Sequence, residues 1–454
     1  MLASKLRVRQ VAGIIGAGLI AIAIVVIPTA SGYGASPRDQ STCFNPAPSI
    51  VGSPALTVEE QRLSVPSVRG GQPVAQQLLT LSGLDSFVTR FETRLCATRD
   101  LAHATSLVKE TGIELWQVAV ARAQGRLHIG TLDRYDDRPL YWARLSMTRA
   151  LREWLPAFDL SFTQRNALIR ILDRGSRGLS SIEFPVGEDV KRMLITGFDT
   201  FFLDQNIRHS NPSGASILQL DGLRLETHEG TIVIHAAVLP VNWTDFDEGI
   251  VEDIFGPHLV PGPKRVSIIM TISQGGPEHF DIEKWAADFR GAIPDNNRVM
   301  QWGPMSRAPQ WPQPAVPPQF IETTLPFPAM IAAGTKPWPV ALHTGICEWP
   351  QGAFPDPTKI VCLPDPTPNS IANSGTGGDY LSNESMYRSN RLRLAAGALE
   401  VPGGHLHIPS LIYPQNPALV TNPAFEQYRR VIVNQTVALV KAASLGGDEE
   451  RLVK

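Results

Sequence analysis

The stretch VKRMLITGFDTF, residues 190–201, decides how this chain is read. It is a short run dense in large apolar side chains and ended by Gly197. A strand with one wet face alternates apolar and polar residues, whereas a strand covered on both faces, as in a parallel sheet, reads as a continuous apolar run. Two later runs have the same texture: GTIVIHAAVLPV at 230–241 and RVSIIMTISQGG at 265–276. Each is rich in Val and Ile and broken by Gly or Pro. Helical patterns accompany them, WTDFDEGIVEDIFGP at 243–257 and FEQYRRVIVNQTVALVKAAS at 425–444. This alternation predicts an α/β domain over 189–446, with functional residues gathered at the carboxyl ends of its strands.

Working outward, 73–188 has helical periodicity. VAQQLLTLSGLDSFVTRFETRLCATRD (74–100), PLYWARLSMTRALREWL (139–155) and SFTQRNALIRILDR (161–174) repeat apolar residues three and four apart. The arginines of 139–155 are expected on a solvated face, and no chemistry is expected of this region. Residues 37–72, rich in Pro, Ser and Gly, read as a linker or irregular arm, and 447–454 as a tail. The Pro- and Trp-rich segment 301–319, QWGPMSRAPQWPQPAVPPQ, reads as an extended surface loop.

The first 36 residues carry a basic start (Lys5, Arg7, Arg9), an uncharged apolar run from Val11 to Ile27, and small residues from Thr29 to Ser36. That is the layout of a secretory signal peptide. The alternative is an uncleaved anchor facing outward, because the run is close to the minimum for spanning a bilayer. Either way export is expected, and the only membrane contact expected is through this segment. The four cysteines, Cys43, Cys96, Cys347 and Cys362, are an even set in an exported chain and predict two disulfides. The simplest of three pairings joins Cys43 to Cys96 and Cys347 to Cys362. A formal net charge of −2 gives no electrostatic case for nucleic acid as partner. No C-x-x-C spacing occurs and no histidine pair accompanies the cysteines, so no metal is expected, and no cofactor is implied either.

Six segments, in order, bring one family to mind. LITGFDTFFLDQNIRHSNPSG (194–214) resembles the opening of pyroglutamyl peptidase I, with its TGF-acid-PF turn and NPS motif. VLPV (238–241), SQGGPEHFDIEKWAADFRGAIPDNN (273–297), FIETTLPFPAM (320–330), TGGDYLSNESMYR (376–388) and HLHIPSL (405–411) are similar to that family's later motifs in the same order. The resemblance covers 190–412 and leaves the first 180 residues outside it. It implies a three-layer α/β/α sandwich with a mostly parallel central sheet, preceded here by the helical region. It also implies a hydrolase acting on an N-terminal pyroglutamyl amide. By position, Glu283 and His407 fall on the acid and base of the family's Cys–His–Glu triad, and Ser382 falls on its nucleophilic cysteine. Phe198 and Phe201 fall on the aromatic pair that clamps the pyrrolidone ring. Phe202-Leu203 replace a glycine pair, Pro277 an arginine and Asp288 an asparagine.

A thiol beside an imidazolium is largely ionised before it attacks, but a serine hydroxyl stays neutral and must lose its proton to the base during attack. Ser382 therefore needs His407 within hydrogen-bond reach, Glu283 to orient His407, and donors for the developing oxyanion. Backbone amides at Phe202 and Gly275, with that of Ser382, are the expected donors. His405 and His407 share one face of a strand, and either could be an ordinary hydrogen-bonded structural histidine. Export supplies a reason for the serine, since a reactive thiol outside the cell is open to oxidation and stray disulfide exchange. The expected function is an exported peptidase or amidase taking a peptide or small amide. Two alternatives stand beside it: an inactive secreted binding protein on the same fold, and a serine amidase or esterase of other specificity.

Overall fold

The structure, a computed structural model, describes residues 43–227 and 230–446. The expected signal segment 1–36 and tail 447–454 lie outside the described residues. No helix among the described residues is long and apolar enough to cross a membrane.

A seven-stranded sheet forms the centre of the α/β region. Its strands are β1 (Val190–Phe198), β2 (Arg224–Thr227), β3 (Gly230–Leu239), β4 (Ile268–Gln274), β5 (Phe280–Glu283), β6 (Val340–His343) and β7 (Gly403–Ile408). Their order across the sheet is β6-β5-β7-β4-β1-β3-β2. β1 runs parallel to β3 and β4, β4 to β7, and β5 to β6, while β5 against β7 and β2 against β3 are antiparallel. The sheet is thus mostly parallel, and the three runs read from the sequence are β1, β3 and β4. Their continuous apolar character follows from burial on both sides. Met193 and Ile195 of β1 enter one hydrophobic cluster, Leu194 and Phe198 enter another, and Ile232 and Val233 of β3 divide the same way.

Five helices make up most of the N-terminal region: α1 (Val74–Ser82), α2 (Asp85–Cys96), α3 (Leu101–Ala123), α4 (Arg138–Glu153) and α5 (Phe162–Ser176). Their starts are written in the sequence. The Asp100 side chain accepts from the His103 amide at the head of α3, and Ser161 and Gln164 form a reciprocal capping box at the head of α5. Four further helices serve the sheet: α6 (Pro212–Leu220), α7 (Ile250–Leu259), α8 (Leu381–Ala395) and α9 (Pro423–Leu445). The disulfides join Cys43 to Cys96 and Cys347 to Cys362. The second closes a three-stranded antiparallel sheet (Ile346–Trp349, Val361–Leu363, Ile371–Ser374) in which Cys347 lies opposite Cys362. That small sheet leads directly into the loop before α8.

Two expectations are corrected by the packing. Of the arginines in 139–155, Arg149 is partly exposed, but the Arg144 side chain is only 1% exposed. Arg144 reaches into the α/β region and, with Arg177, binds one carboxylate oxygen of Asp199, at 2.7 and 2.6 Å. It is buried because its charge is met there, directly after β1. The segment 301–319 is mostly irregular, as expected, but not free on the surface. Met305 and Ala308 are buried, the Ser306 carbonyl accepts from Arg388 of α8, and the Trp311 indole donates to Asp253 of α7 at 2.8 Å. The arm before α1 is also anchored. Glu59 accepts from Asn296, Arg62 pairs with Asp204 at 2.9 Å, and Asn296 in turn donates to the Thr200 carbonyl.

Removing one partner from a buried charge cluster strands the others, at a cost of about 3–5 kcal/mol. Asp199→Ala leaves both Arg144 and Arg177 without this acceptor and should lower the unfolding free energy by about that much in urea titration. A loss under about 1 kcal/mol would mean the cluster does not hold the two regions together.

Candidate active site

The carboxyl ends of β1, β4 and β7 lie side by side, with Ile408 beside Gln274 in the ladder, and the candidate residues gather there. His407 is the next-to-last residue of β7, and its Nδ1 lies 2.6 Å from Glu283 Oε1 at the end of β5. With Nδ1–H donated to the carboxylate, the imidazole presents Nε2 as an acceptor. Glu283 is 1% exposed. Burial alone would raise its pKa, but the neighbouring His407 charge, with hydrogen bonds from His343, His407 and Thr376, holds it well below the ordinary carboxylate range.

Backbone approach in this cluster requires glycine at two places. A Cβ on Gly275 would stand 2.8 Å from His407 Cβ, and one on Gly377 would stand 3.1 Å from His407 Cε1 and 3.4 Å from Glu283 Cγ. Gly377 thus lies flat against the imidazole and its carboxylate. Its carbonyl accepts the Ser382 hydroxyl at 3.3 Å, so the serine and the histidine share Gly377 as a neighbour. Ser382 is the second residue of α8. That helix begins after Tyr380, whose side chain provides no cap, leaving the first-turn amides uncapped on the serine's side.

Beside Ser382 is a small cavity of about 40 Å³, lined by Phe198, Phe201, Val241, Gln274, Tyr380 and Leu381 among others. The aromatic pair read from the sequence therefore borders the same space as the serine. The Gln274 Oε1 atom is buried and has no hydrogen-bond partner. Sequence reasoning missed this residue, whose only written signal is its place at the end of an apolar strand. Phe202 follows Phe201 with φ +55, the left-handed region that favours glycine, and its ring stacks on Tyr380 with centroids 6.3 Å apart. Its amide has no acceptor among the described residues. A strained non-glycine backbone of this kind costs about 1–3 kcal/mol and persists only where its surroundings enforce it.

Two assignments need adjustment, and one open reading is resolved. The Gly275 amide donates to the Ile408 carbonyl at 2.8 Å, because β4 and β7 continue their ladder past Gln274, so it is not a free oxyanion donor. His405 is the structural member of the histidine pair. It is buried between the Thr271 and Ser273 hydroxyls, at 2.7 and 2.8 Å, and burial together with the His407 charge keeps its pKa well below the usual imidazole value. Ser382 bonds to the Gly377 carbonyl rather than to His407. Sequence reasoning also missed His343. It stands opposite Glu283 across β5 and β6, with Nδ1 3.0 Å from Glu283 Oε2. The hydrogen bond to Glu283 raises its pKa, against partial burial. Asp281, Glu283 and His343 each bring one potential metal-ligand atom within 4.8 Å of the others.

The family profile described as PA0049 N-terminal domain matches residues 35–173, and that described as PA0049, C-terminal domain matches 192–316 and 340–412. The second match takes in every candidate site residue. The chain is 35% identical over 491 residues to a Pseudomonas aeruginosa protein named "Uncharacterized protein PA0049", an alignment covering 85% of this chain and 88% of that relative.

Glu283 has a folded pKa below its unfolded value of about 4.3, so it contributes stability that is present above that value and lost as pH falls through the folded pKa. Glu283→Gln should therefore cost more stability at pH 6 than at pH 3 in urea titrations. Equal costs at both values would contradict the lowered folded pKa of Glu283.

Proposed function

We propose that this chain, which belongs to the PA0049 family, is an exported hydrolase that cleaves an N-terminal pyroglutamyl or related small N-acyl amide. The site sits on a three-layer α/β/α sandwich and uses Ser382, His407 and Glu283. One observation carries the reading. The Glu283-oriented imidazole and the hydroxyl at the start of α8 meet across Gly377, at the edge of a cavity walled by Phe198 and Phe201.

The chemistry follows from these positions. Ser382 Oγ attacks the acyl carbonyl as His407 Nε2 takes its proton, and Glu283 stabilises the imidazolium so formed. The oxyanion meets the amide of Phe202 and the first-turn amides of α8, where the helix dipole adds favourable charge. His407 then returns the proton to the leaving amine, and water hydrolyses the acyl-serine by the same route in reverse. The two phenylalanines face a flat ring or short acyl chain, and Gln274 Oε1 accepts an N–H from it. An unpartnered buried carbonyl is costly by about 1–3 kcal/mol, so a ligand that donates there gains affinity.

A second reading, a binding protein without turnover, is favoured by the Ser382 hydroxyl resting on the Gly377 carbonyl instead of His407. Turnover of a fluorogenic pyroglutamyl amide by the purified chain separates the two. The hydrolase reading expects hydrolysis that Ser382→Ala reduces about a thousandfold or more. Affinity without turnover, with activity gained in Ser382→Cys, supports the binding protein, and silence in all three variants sinks the pyroglutamyl reading. Gln274→Leu should raise KM about tenfold for the pyroglutamyl amide, and little for a cyclopentanecarbonyl amide, which has no ring N–H. Equal changes for both substrates would remove Gln274 from ring recognition.

A further inference from the structure

Strands β5 and β6 run parallel with His343 opposite Glu283, and Asp281 lies two residues before Glu283 on the same face of β5. Asp281, Glu283 and His343 each offer a ligand atom, all within 4.8 Å of one another. Glu283 closes the group from within the protein, while the His343 side chain is 46% exposed and opens it to solvent. Each carboxylate has one oxygen fixed by an outer histidine. Glu283 Oε1 is held by His407 Nδ1 at 2.6 Å, and Asp281 Oδ2 by His279 Nε2 at 2.8 Å. Two carboxylates and an imidazole, with the carboxylates oriented from behind, are the ligand set and outer support of a borderline divalent cation such as Zn²⁺.

We propose that Asp281, Glu283 and His343 bind a divalent transition-metal ion of the zinc type, and that the bound ion throttles the adjoining site by drawing on Glu283. Ligands 2.0–2.2 Å from a tetrahedral ion stand about 3.3–3.6 Å apart, so a modest inward movement of His343 completes the set. His343 sits on the edge strand β6, with its side chain half exposed. On binding, Glu283 Oε2 exchanges His343 Nδ1 for the ion, the coordinating nitrogen of His343 gives up any proton it carries to solvent, and water takes the fourth position. Glu283 Oε1 keeps His407, but a carboxylate shared with a dication stabilises an imidazolium less. The transition state for serine attack, which creates that imidazolium, is therefore disfavoured. The throttle rests on the hydrolase reading; the ion binding does not.

The test is calorimetric titration of ZnCl₂ into the untagged full chain, into Asp281→Asn and into His343→Ala. Thermal melts confirm that both variants fold, and pyroglutamyl-amide turnover is followed with and without the ion. The expected result is one Zn²⁺ per chain, with affinity at least tenfold weaker in both variants. Saturating Zn²⁺ should cut wild-type turnover at least tenfold and leave that of His343→Ala insensitive to the ion. No saturable binding, or binding of equal strength in the folded variants, overturns the site. Binding that leaves turnover unchanged overturns the throttle. Zinc bound at this site by a chain with no turnover under any condition upholds the site and sinks the hydrolase reading with the throttle.

Discussion

The buried Asp199 carboxylate ties the helical region to the α/β region. The residue follows directly after β1, and one of its carboxylate oxygens is shared by Arg144 of α4 and by Arg177 just past α5. Burying two guanidinium groups and a carboxylate is costly, and the arrangement holds only because each charge is met at close range. Its consequence is positional. The turn that carries Phe201 and the left-handed Phe202 begins at this residue, directly after Phe198 ends β1, so the contacts of Asp199 tie its start to the helical region. The arm before α1 supports it from the other side through Asn296, which donates to the Thr200 carbonyl. The helical region is thus a buttress for the site, although it contributes no residue to the chemistry proposed.

The site has two parts of different character. The histidine and its carboxylate are preassembled, with a short hydrogen bond, a buried acid and a glycine lying against both. The serine half is looser, because its hydroxyl rests on a backbone carbonyl. That asymmetry fits a neutral hydroxyl, which has no charge to draw it to the imidazole. A thiolate would be drawn there by Coulomb attraction in the free enzyme. The two disulfides occupy all four cysteines.

Much of the fold was legible because its signals are local. Strands buried on both faces keep unbroken apolar runs, and the heads of α3 and α5 carry their capping residues. The positions of Ser382, His407, Glu283, Phe198 and Phe201 followed from ordered motifs, and all five lie in one region. What escaped depends on partners distant along the chain. Arg144 looks solvated until Asp199, 55 residues on, is brought against it. Gly275 looks like a free donor until β7 supplies the Ile408 carbonyl. His343 is an unremarkable histidine in sequence, and only the β5–β6 register places it on Glu283. Gln274 gains meaning only from the cavity it faces and the partner its oxygen lacks.

The central claim is that Ser382 is a nucleophile activated by His407. The most direct measurement is covalent labelling with an N-acyl aminophosphonate diaryl ester, a reagent that phosphonylates only an activated serine. The labelled site is then located by peptide mass spectrometry. The account predicts a single adduct on the peptide carrying Ser382, formed by the wild-type chain and lost in His407→Ala. No adduct at Ser382, or one that forms equally well without His407, would contradict it.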